Sequence, residues 1–410
     1  MKLGRRNFFG FLGQLPLWSA SAAGASGAPA GEDYYDKLGV TKIINAAGTY
    51  TNLTASIMPA EVQAAVARAA ASPVRLVELQ KAAGEYLARK LQCEAALVTA
   101  GAASGLTLGT AACVMAANGC GIRDIPAAVA GLKNEVIVQK AHRYGYDEAL
   151  LCAGIRFVEV ETLAAYDAAF GPRTVMAHFY NAAEQGAISR EDWIRVAHAH
   201  GVPCFNDAAA DMPPIANLWN YTKMGFDLVT FSGGKGIRGP QNAGLLLGRK
   251  DLIAAAAANN NPYDGVGRGM KVAKEQIVGM VAAVDWLLGQ TDAGMEREFR
   301  RRAERIAAHL KDLPGLSSEI SVPPVANRVP HLSIRYDQAK LKISPREVMA
   351  ELRAGKPSIE LNPSTGRATG ASAGIVTDEN TIVVGVWMLQ AGEDMTVARR
   401  LREVLTKSRA

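Results

Sequence analysis

From about residue 95 to residue 248, short apolar runs alternate with longer stretches whose pattern is helical. Seven of these runs read as strands: Ala95 to Thr99, Glu135 to Gln139, Ile155 to Val160, Thr174 to His178, Val202 to Asn206, Leu228 to Phe231 and Ala243 to Gly248. Two helices precede them, Pro59 to Ala71 with proline in its first turn, and Val77 to Leu91. A strand-helix rhythm of this kind predicts an α/β fold, a doubly wound and largely parallel seven-stranded sheet with helices on both faces. Ligands of such sheets bind at the carboxyl ends of the strands, so those ends are where chemistry is sought. Beyond Arg249 the pattern turns helical, with amphipathic stretches from Lys271 to Leu288 and from Glu296 to Leu313. Gly315 and the Pro323-Pro324 pair then mark a boundary before His331 to Arg335, Pro345 to Arg353, Ser358 to Leu361 and Thr381 to Trp387, which read as a smaller strand-and-helix domain. The predicted organisation is an N-terminal arm over 31–58, a large domain over 59–290 and a small C-terminal domain over 291–410.

Composition narrows the class. Among 410 residues, 49% are apolar but only 6% aromatic, and 40 are glycine, which suits an α/β enzyme better than an all-β or disordered chain. Of the formal charge of +6, three units come from Lys2, Arg5 and Arg6, with no acid among the first 30 residues. No long basic run interleaved with aromatics follows, which argues against a nucleic-acid partner. Residues 1–30 read as a targeting segment: Arg5-Arg6-Asn7-Phe8-Phe9, a moderately apolar run to Ala23, and a small-x-small cleavage signature at Ala28-Pro29-Ala30. The arginine pair resembles a twin-arginine export signal, so the expected location is the periplasm, with the cytoplasm as the alternative, and no stable membrane anchor is expected. The five cysteines lack Cys-x-x-Cys spacing and the histidines lack ligand spacing, so no metal is expected.

Candidate chemistry collects at the strand ends. After Thr99 comes a turn of small residues, Gly101-Ala102-Ala103-Ser104, opening a helix read from Leu106 to Ala117; free backbone N–H groups there make an anion site. The strand Glu135 to Gln139 runs into His142, an imidazole that can stack on a flat ring or simply be a hydrogen-bonded core residue. Val202 to Asn206 ends in Asp207, followed by three alanines that leave room for a flat ligand. A carboxylate at the end of a buried strand needs a cation, and a protonated pyridine nitrogen is one. Leu228 to Phe231 delivers Ser232-Gly233-Gly234-Lys235-Gly236, a turn from which the lysine projects. Lys235 followed by glycine breaks the phosphate-loop frame, which leaves a plain turn lysine or a Schiff-base lysine. Anion turn, ring-stacking candidate, buried acid and lysine, in that order, meet the needs of pyridoxal 5'-phosphate in phosphate, ring face, ring nitrogen and aldehyde.

These segments carry a resemblance. Ile44 to Thr49, Thr99 to Ser104, His142-Arg143-Tyr144-Gly145-Tyr146-Asp147, Asn206 to Ala210, Ser232 to Lys235 with Gly239-Pro240-Gln241, and Gly267 to Glu275 resemble fold-type I pyridoxal-phosphate enzymes of the group around selenocysteine synthase (L-seryl-tRNA seleniumtransferase) and D-glucosaminate-6-phosphate ammonia-lyase. The resemblance implies that Lys235 carries the cofactor as a Schiff base, Asp207 holds the pyridinium proton and His142 covers the ring. Ser232 and the turn from Gly101 through Ala102 and Ala103 to Ser104 would hold the phosphate, with Ala209 against the ring. It implies a small domain closing over the substrate, with Arg353, Arg367 or Arg335 reading a carboxylate and Asn45 nearby, and a homodimer or larger homo-oligomer. The seleniumtransferase's extra N-terminal region for tRNA has no counterpart here, so transfer to tRNA is the least expected reaction. The expected activity is an ammonia-lyase or β-eliminase acting on a hydroxylated or otherwise β-substituted amino acid, a small-molecule substrate, through Cα deprotonation by the lysine. A racemase, aldolase or aminotransferase would share the first steps, and an exported binding protein that kept the fold without the chemistry is the reading from another class.

Overall fold

The structure, a computed structural model, describes residues 31–181, 186–368, 375 and 377–407; the export-signal expectation falls on residues 1–30, outside them. Residues 31–42, taken by themselves, hold one short helix, Tyr34–Lys37, capped by the Asp33 side chain, which accepts from the Tyr35 N–H.

From Ile43 onward the strands are β1 (Ile43–Ala46), β2 (Ala95–Thr99), β3 (Glu135–Gln139), β4 (Arg156–Val160), β5 (Thr174–Tyr180), β6 (Cys204–Asp207), β7 (Leu228–Ser232), β8 (Gly244–Gly248), β9 (Leu316–Ser321), β10 (His331–Tyr336), β11 (Ser358–Leu361) and β12 (Thr381–Gly385). Among the described residues, seven of them form one sheet in the order β2-β8-β7-β6-β5-β3-β4. Strands β3 to β7 are parallel, whereas β8 runs antiparallel to both its neighbours. The predicted largely parallel seven-stranded α/β sheet is therefore the observed one. Each central strand is apolar on both faces because helices cover both: Val229, Phe231 and Leu245 face one core, Phe205, Leu228 and Leu246 the other. Phe205 and Phe231 are essentially fully buried, worth about 2 kcal/mol each by area removed from water.

The helix expected to begin at Leu106 starts at Gly101 and runs to Asn118. The small residues read as a turn are its first turn, since alanine is the best helix former, and Gly101 enters it with a left-handed φ of +78°. Sequences of strand and helix after Arg249 follow the expected pattern with shifted ends: Lys274–Leu288 and Asp292–Leu310 are the two long helices.

The C-terminal strands make a second, smaller core. β12-β10-β9 is an antiparallel sheet, and β11 pairs in parallel with β1. Helices Asp292–Leu310, Pro345–Ala354 and Glu393–Lys407 supply Ile306, Leu310, Val348, Leu352, Val397 and Leu401 to this core. Ser344 and Glu347 cap Pro345–Ala354 reciprocally, the Glu347 N–H donating to Ser344 Oγ and the Ser344 N–H to Glu347 Oε2, a device worth about 1 kcal/mol. The β1–β11 pairing positions the site, because it carries residues just after position 46 and just after position 361 out side by side.

Candidate active site

The row Thr99–Gly244–Ser232 crosses the sheet at the carboxyl ends of β2 and β7. A Cβ on Gly244 would stand 2.5 Å from the Gly101 carbonyl carbon and 2.8 Å from the Ala102 nitrogen, so the start of Gly101–Asn118 lies directly on this row, beside Ser232. That helix start has no side-chain cap, and Ser104 Oγ in its first turn is buried without a hydrogen-bond partner. Four backbone N–H groups that an α-helix leaves unpaired thus gather with an orphaned hydroxyl and Ser232, the donor set an anion such as a phosphate monoester takes up.

Asp207 ends β6 and is 3% exposed. The Ala209 N–H donates to its Oδ1 at 2.9 Å, and the Tyr144 hydroxyl donates to its Oδ2. Burial raises the carboxyl's pKa, and the bonds from Tyr144 and Ala209 together with the charge of Lys235 act against that rise. A buried carboxyl held by two donors, still pushed upward, is short of one full positive partner. Ala208 is buried, while Ala209 and Ala210 are half-buried at the opening.

Lys235 lies three residues beyond β7, and its side chain has no hydrogen bond or ion pair among the described residues. Gly236 holds the turn against the neighbouring loop: a Cβ there would be 2.2 Å from the Met212 carbonyl oxygen. Burial lowers the amine's pKa, opposed by Asp207 and Asp211, so its neutral, nucleophilic form is more populated than that of an exposed lysine. Lys235 opens onto a cavity of about 170 Å³ walled by Ala47 to Thr51, Tyr146, Asn327, His331, Asn362 and Trp387. Asn362 Nδ2 donates to the Ala47 carbonyl at 3.1 Å, which is the β1–β11 pairing continued into the wall.

Five candidate residues do not line that cavity. His142 does not present a ring face: it is 0% exposed, edge-on to Phe179 at 4.6 Å, with Nδ1 accepting from the Tyr180 N–H at 3.2 Å. Burial, with Arg190 nearby, lowers its pKa to about 4, so it is a neutral core residue. The aromatic that reaches the site from the same loop is Tyr144, stacked on Tyr180 at 4.0 Å with its hydroxyl on Asp207. Arg353 is paired with Glu360 through two bonds of 2.8 and 2.7 Å, Arg335 is paired with Asp378 at 3.2 Å, and Arg367 is exposed; none lines the cavity. Asn45 is structural: its Oδ1 accepts from the Ala47 and Gly48 N–H groups and its Nδ2 donates to the Gly48 carbonyl, shaping the turn that forms the wall.

The five cysteines are unpaired. Among the described residues, His198, Cys204 and Asp227 form a cluster of metal-ligating types at the opposite, amino ends of β6 and β7. Its Asp227 is already committed, accepting from the Cys204 N–H at 2.7 Å and from Arg249 at 3.2 Å and meeting His198 Nε2 at 2.9 Å. No helix among the described residues is long and apolar enough to cross a membrane.

The chain is similar to known proteins. The family model described as L-seryl-tRNA selenium transferase matches residues 43–329. A 5'-C-glycyluridine monooxygenase-decarboxylase from a Streptomyces species is 31% identical over 341 residues, spanning 80% of this chain and 83% of the relative. D-glucosaminate-6-phosphate ammonia lyase of Salmonella typhimurium is 30% identical over 338 residues, spanning 79% of this chain and 88% of its own. The solved structure of a D-glucosaminate-6-phosphate ammonia-lyase superposes with a TM-score of 0.77 at 26% identity, covering 92% of this chain and 99% of that one.

Proposed function

The chain belongs to the L-seryl-tRNA selenium transferase family, and from that premise we propose that it is a pyridoxal-phosphate-dependent lyase that releases ammonia from an amino acid bearing a leaving group on the carbon next to Cα. The observation that carries this reading is Lys235: a desolvated amine without a partner, in the field of a buried carboxylate and open to a cavity.

The residues fit the cofactor on the structure's own terms. The uncapped start of Gly101–Asn118, with the orphaned Ser104 Oγ and Ser232, accommodates a phosphate; Asp207 lacks a cation that a protonated pyridine nitrogen provides; Lys235 supplies the amine. When bound, pyridoxal phosphate supplies a carbonyl that condenses with amines and a protonated ring that draws electrons from the substrate's Cα. Asp207 keeps the ring nitrogen's proton in place, and Tyr144 fixes the rotamer of that carboxylate by donating to Oδ2. Lys235 Nζ, whose pKa burial lowers, takes the proton from Cα and can return it.

Product analysis on purified holoenzyme tests the reaction. Ammonia and a keto acid in equal amounts are the expected products. Stereochemical inversion alone, or an amino group passed to an added keto acid, would replace elimination by racemisation or transamination. Carbon dioxide formed with consumption of dioxygen would align the chain instead with the Streptomyces relative, which is named for an oxygenating decarboxylation.

Gly244 offers a test of the phosphate site that leaves the lysine untouched. Gly244→Ala forces a methyl group into the first turn of Gly101–Asn118, an overpacking that costs about 1–3 kcal/mol. Spectroscopic titration of the apoprotein is expected to show affinity for pyridoxal phosphate reduced by about tenfold or more, with affinity for phosphate-free pyridoxal much less affected. An unchanged affinity for pyridoxal phosphate would place the phosphate elsewhere.

A further inference from the structure

The cavity beside Lys235 holds an unusual set of polar groups. Trp387 is 4% exposed, and its Nε1–H has no partner. That nitrogen stands 3.6 Å from the position of a Cβ on Gly48, whose backbone forms the same wall. Asn327 Oδ1 is buried and unpartnered too. His331 is 4% exposed; its Nδ1–H donates to the Val329 carbonyl at 2.8 Å, which fixes the tautomer and leaves Nε2 as an acceptor with no partner among the described residues. Burial lowers its pKa to about 4, so the ring is uncharged near neutral pH. The Tyr50 oxygen accepts from Asn362 Nδ2 at 3.3 Å, and its own proton stays available.

Unpartnered buried donors and acceptors cost stability unless a ligand or water satisfies them. Here both kinds converge on one cavity, and all are neutral. Among the described residues lining it, Lys235 is the only cationic side chain. A phosphate group entering this wall would lose its hydration and meet no counter-charge beyond the amine, which is committed to the cofactor. A hydroxyl group both donates and accepts, and so satisfies an indole N–H, a phenol proton, an amide oxygen and an imidazole nitrogen without a charge penalty.

Resting on the ammonia-lyase reading above, we propose that this cavity takes an amino acid whose far end is uncharged and hydroxylated, bound through Trp387, Asn327, His331 and Tyr50, and that it rejects the phosphorylated counterpart. The chain would thus differ from its Salmonella relative, named for a 6-phosphate, in the part of the substrate that never reacts.

The test is a spectral titration of the holoenzyme with two matched pairs: D-glucosaminate and D-glucosaminate 6-phosphate, and 4-hydroxy-L-threonine and its 4-phosphate. The hydroxylated member of at least one pair is expected to perturb the cofactor spectrum at a concentration at least tenfold lower than its phosphorylated partner. Trp387→Phe, which keeps the ring and removes the N–H, is expected to weaken binding of the hydroxylated compound about five- to tenfold while the resting cofactor spectrum stays as it was. Tighter binding of the phosphorylated members overturns the proposal, as does indifference to all four compounds or an unaltered affinity in Trp387→Phe. Absence of any lysine-dependent cofactor band is a different failure, that of the underlying reading.

Discussion

Lys235→Ala is expected to reduce turnover by about 10⁴-fold or more, because one side chain both anchors the cofactor and moves the Cα proton. The structure leaves no understudy: the cavity wall contains no second lysine among the described residues, and its one imidazole, His331, is held neutral with one nitrogen tied to a carbonyl. The variant should still fold, since the Lys235 side chain makes no hydrogen bond or ion pair that its removal would break. It should also still bind pyridoxal phosphate through the helix start, Ser232 and Asp207, without forming a borohydride-reducible imine. Full activity in Lys235→Ala, assayed by ammonia release, would remove the lysine from the mechanism.

Asp207→Asn carries the second largest effect, a loss of about 10²–10³-fold in kcat. The amide keeps the shape and can still accept from the Ala209 N–H, but it cannot neutralise a ring cation and sets an amide where Tyr144 donates to a carboxylate oxygen. Asp207→Glu is the informative companion: it restores charge but displaces the carboxylate, so it should recover activity only in part. The loss should appear in kcat more than in KM, because the charge matters most when electrons move into the ring. A KM effect alone would mark Asp207 as a structural carboxylate.

Much of this was legible along the chain, and what was not has a physical reason. Lys235 and Asp207 announce themselves because each comes at or just beyond the end of a short apolar run, next to residues too small to hide it, glycines on both sides in one case and alanines in the other. The seven strands were legible because a strand covered on both faces is a continuous apolar run, with its ends sharply marked. His142 and Tyr144 stand two residues apart, in a loop where Lys140 to His142 forms a turn of 3-10 helix, yet His142 is buried and Tyr144 meets Asp207. Nothing local says which ring points to the site and which points into the core. The partner of Arg353 was not legible either: it is Glu360, on the strand after its helix, a pairing that the packing of Pro345–Ala354 on β11 creates. The cavity wall was the least legible feature. Its pieces, near positions 47–51, 327–331, 362 and 387, meet through the β1–β11 pairing and through β10 beginning at His331 opposite Gly385, two residues before Trp387.

The most direct test of the central claim is to reduce the purified holoenzyme with borohydride, digest it and locate the modified residue by mass spectrometry. A phosphopyridoxyl group on the peptide carrying Lys235, and on no other lysine, is the predicted result. Labelling of a different lysine, or no label after saturation with pyridoxal phosphate, would contradict the account from the site outward.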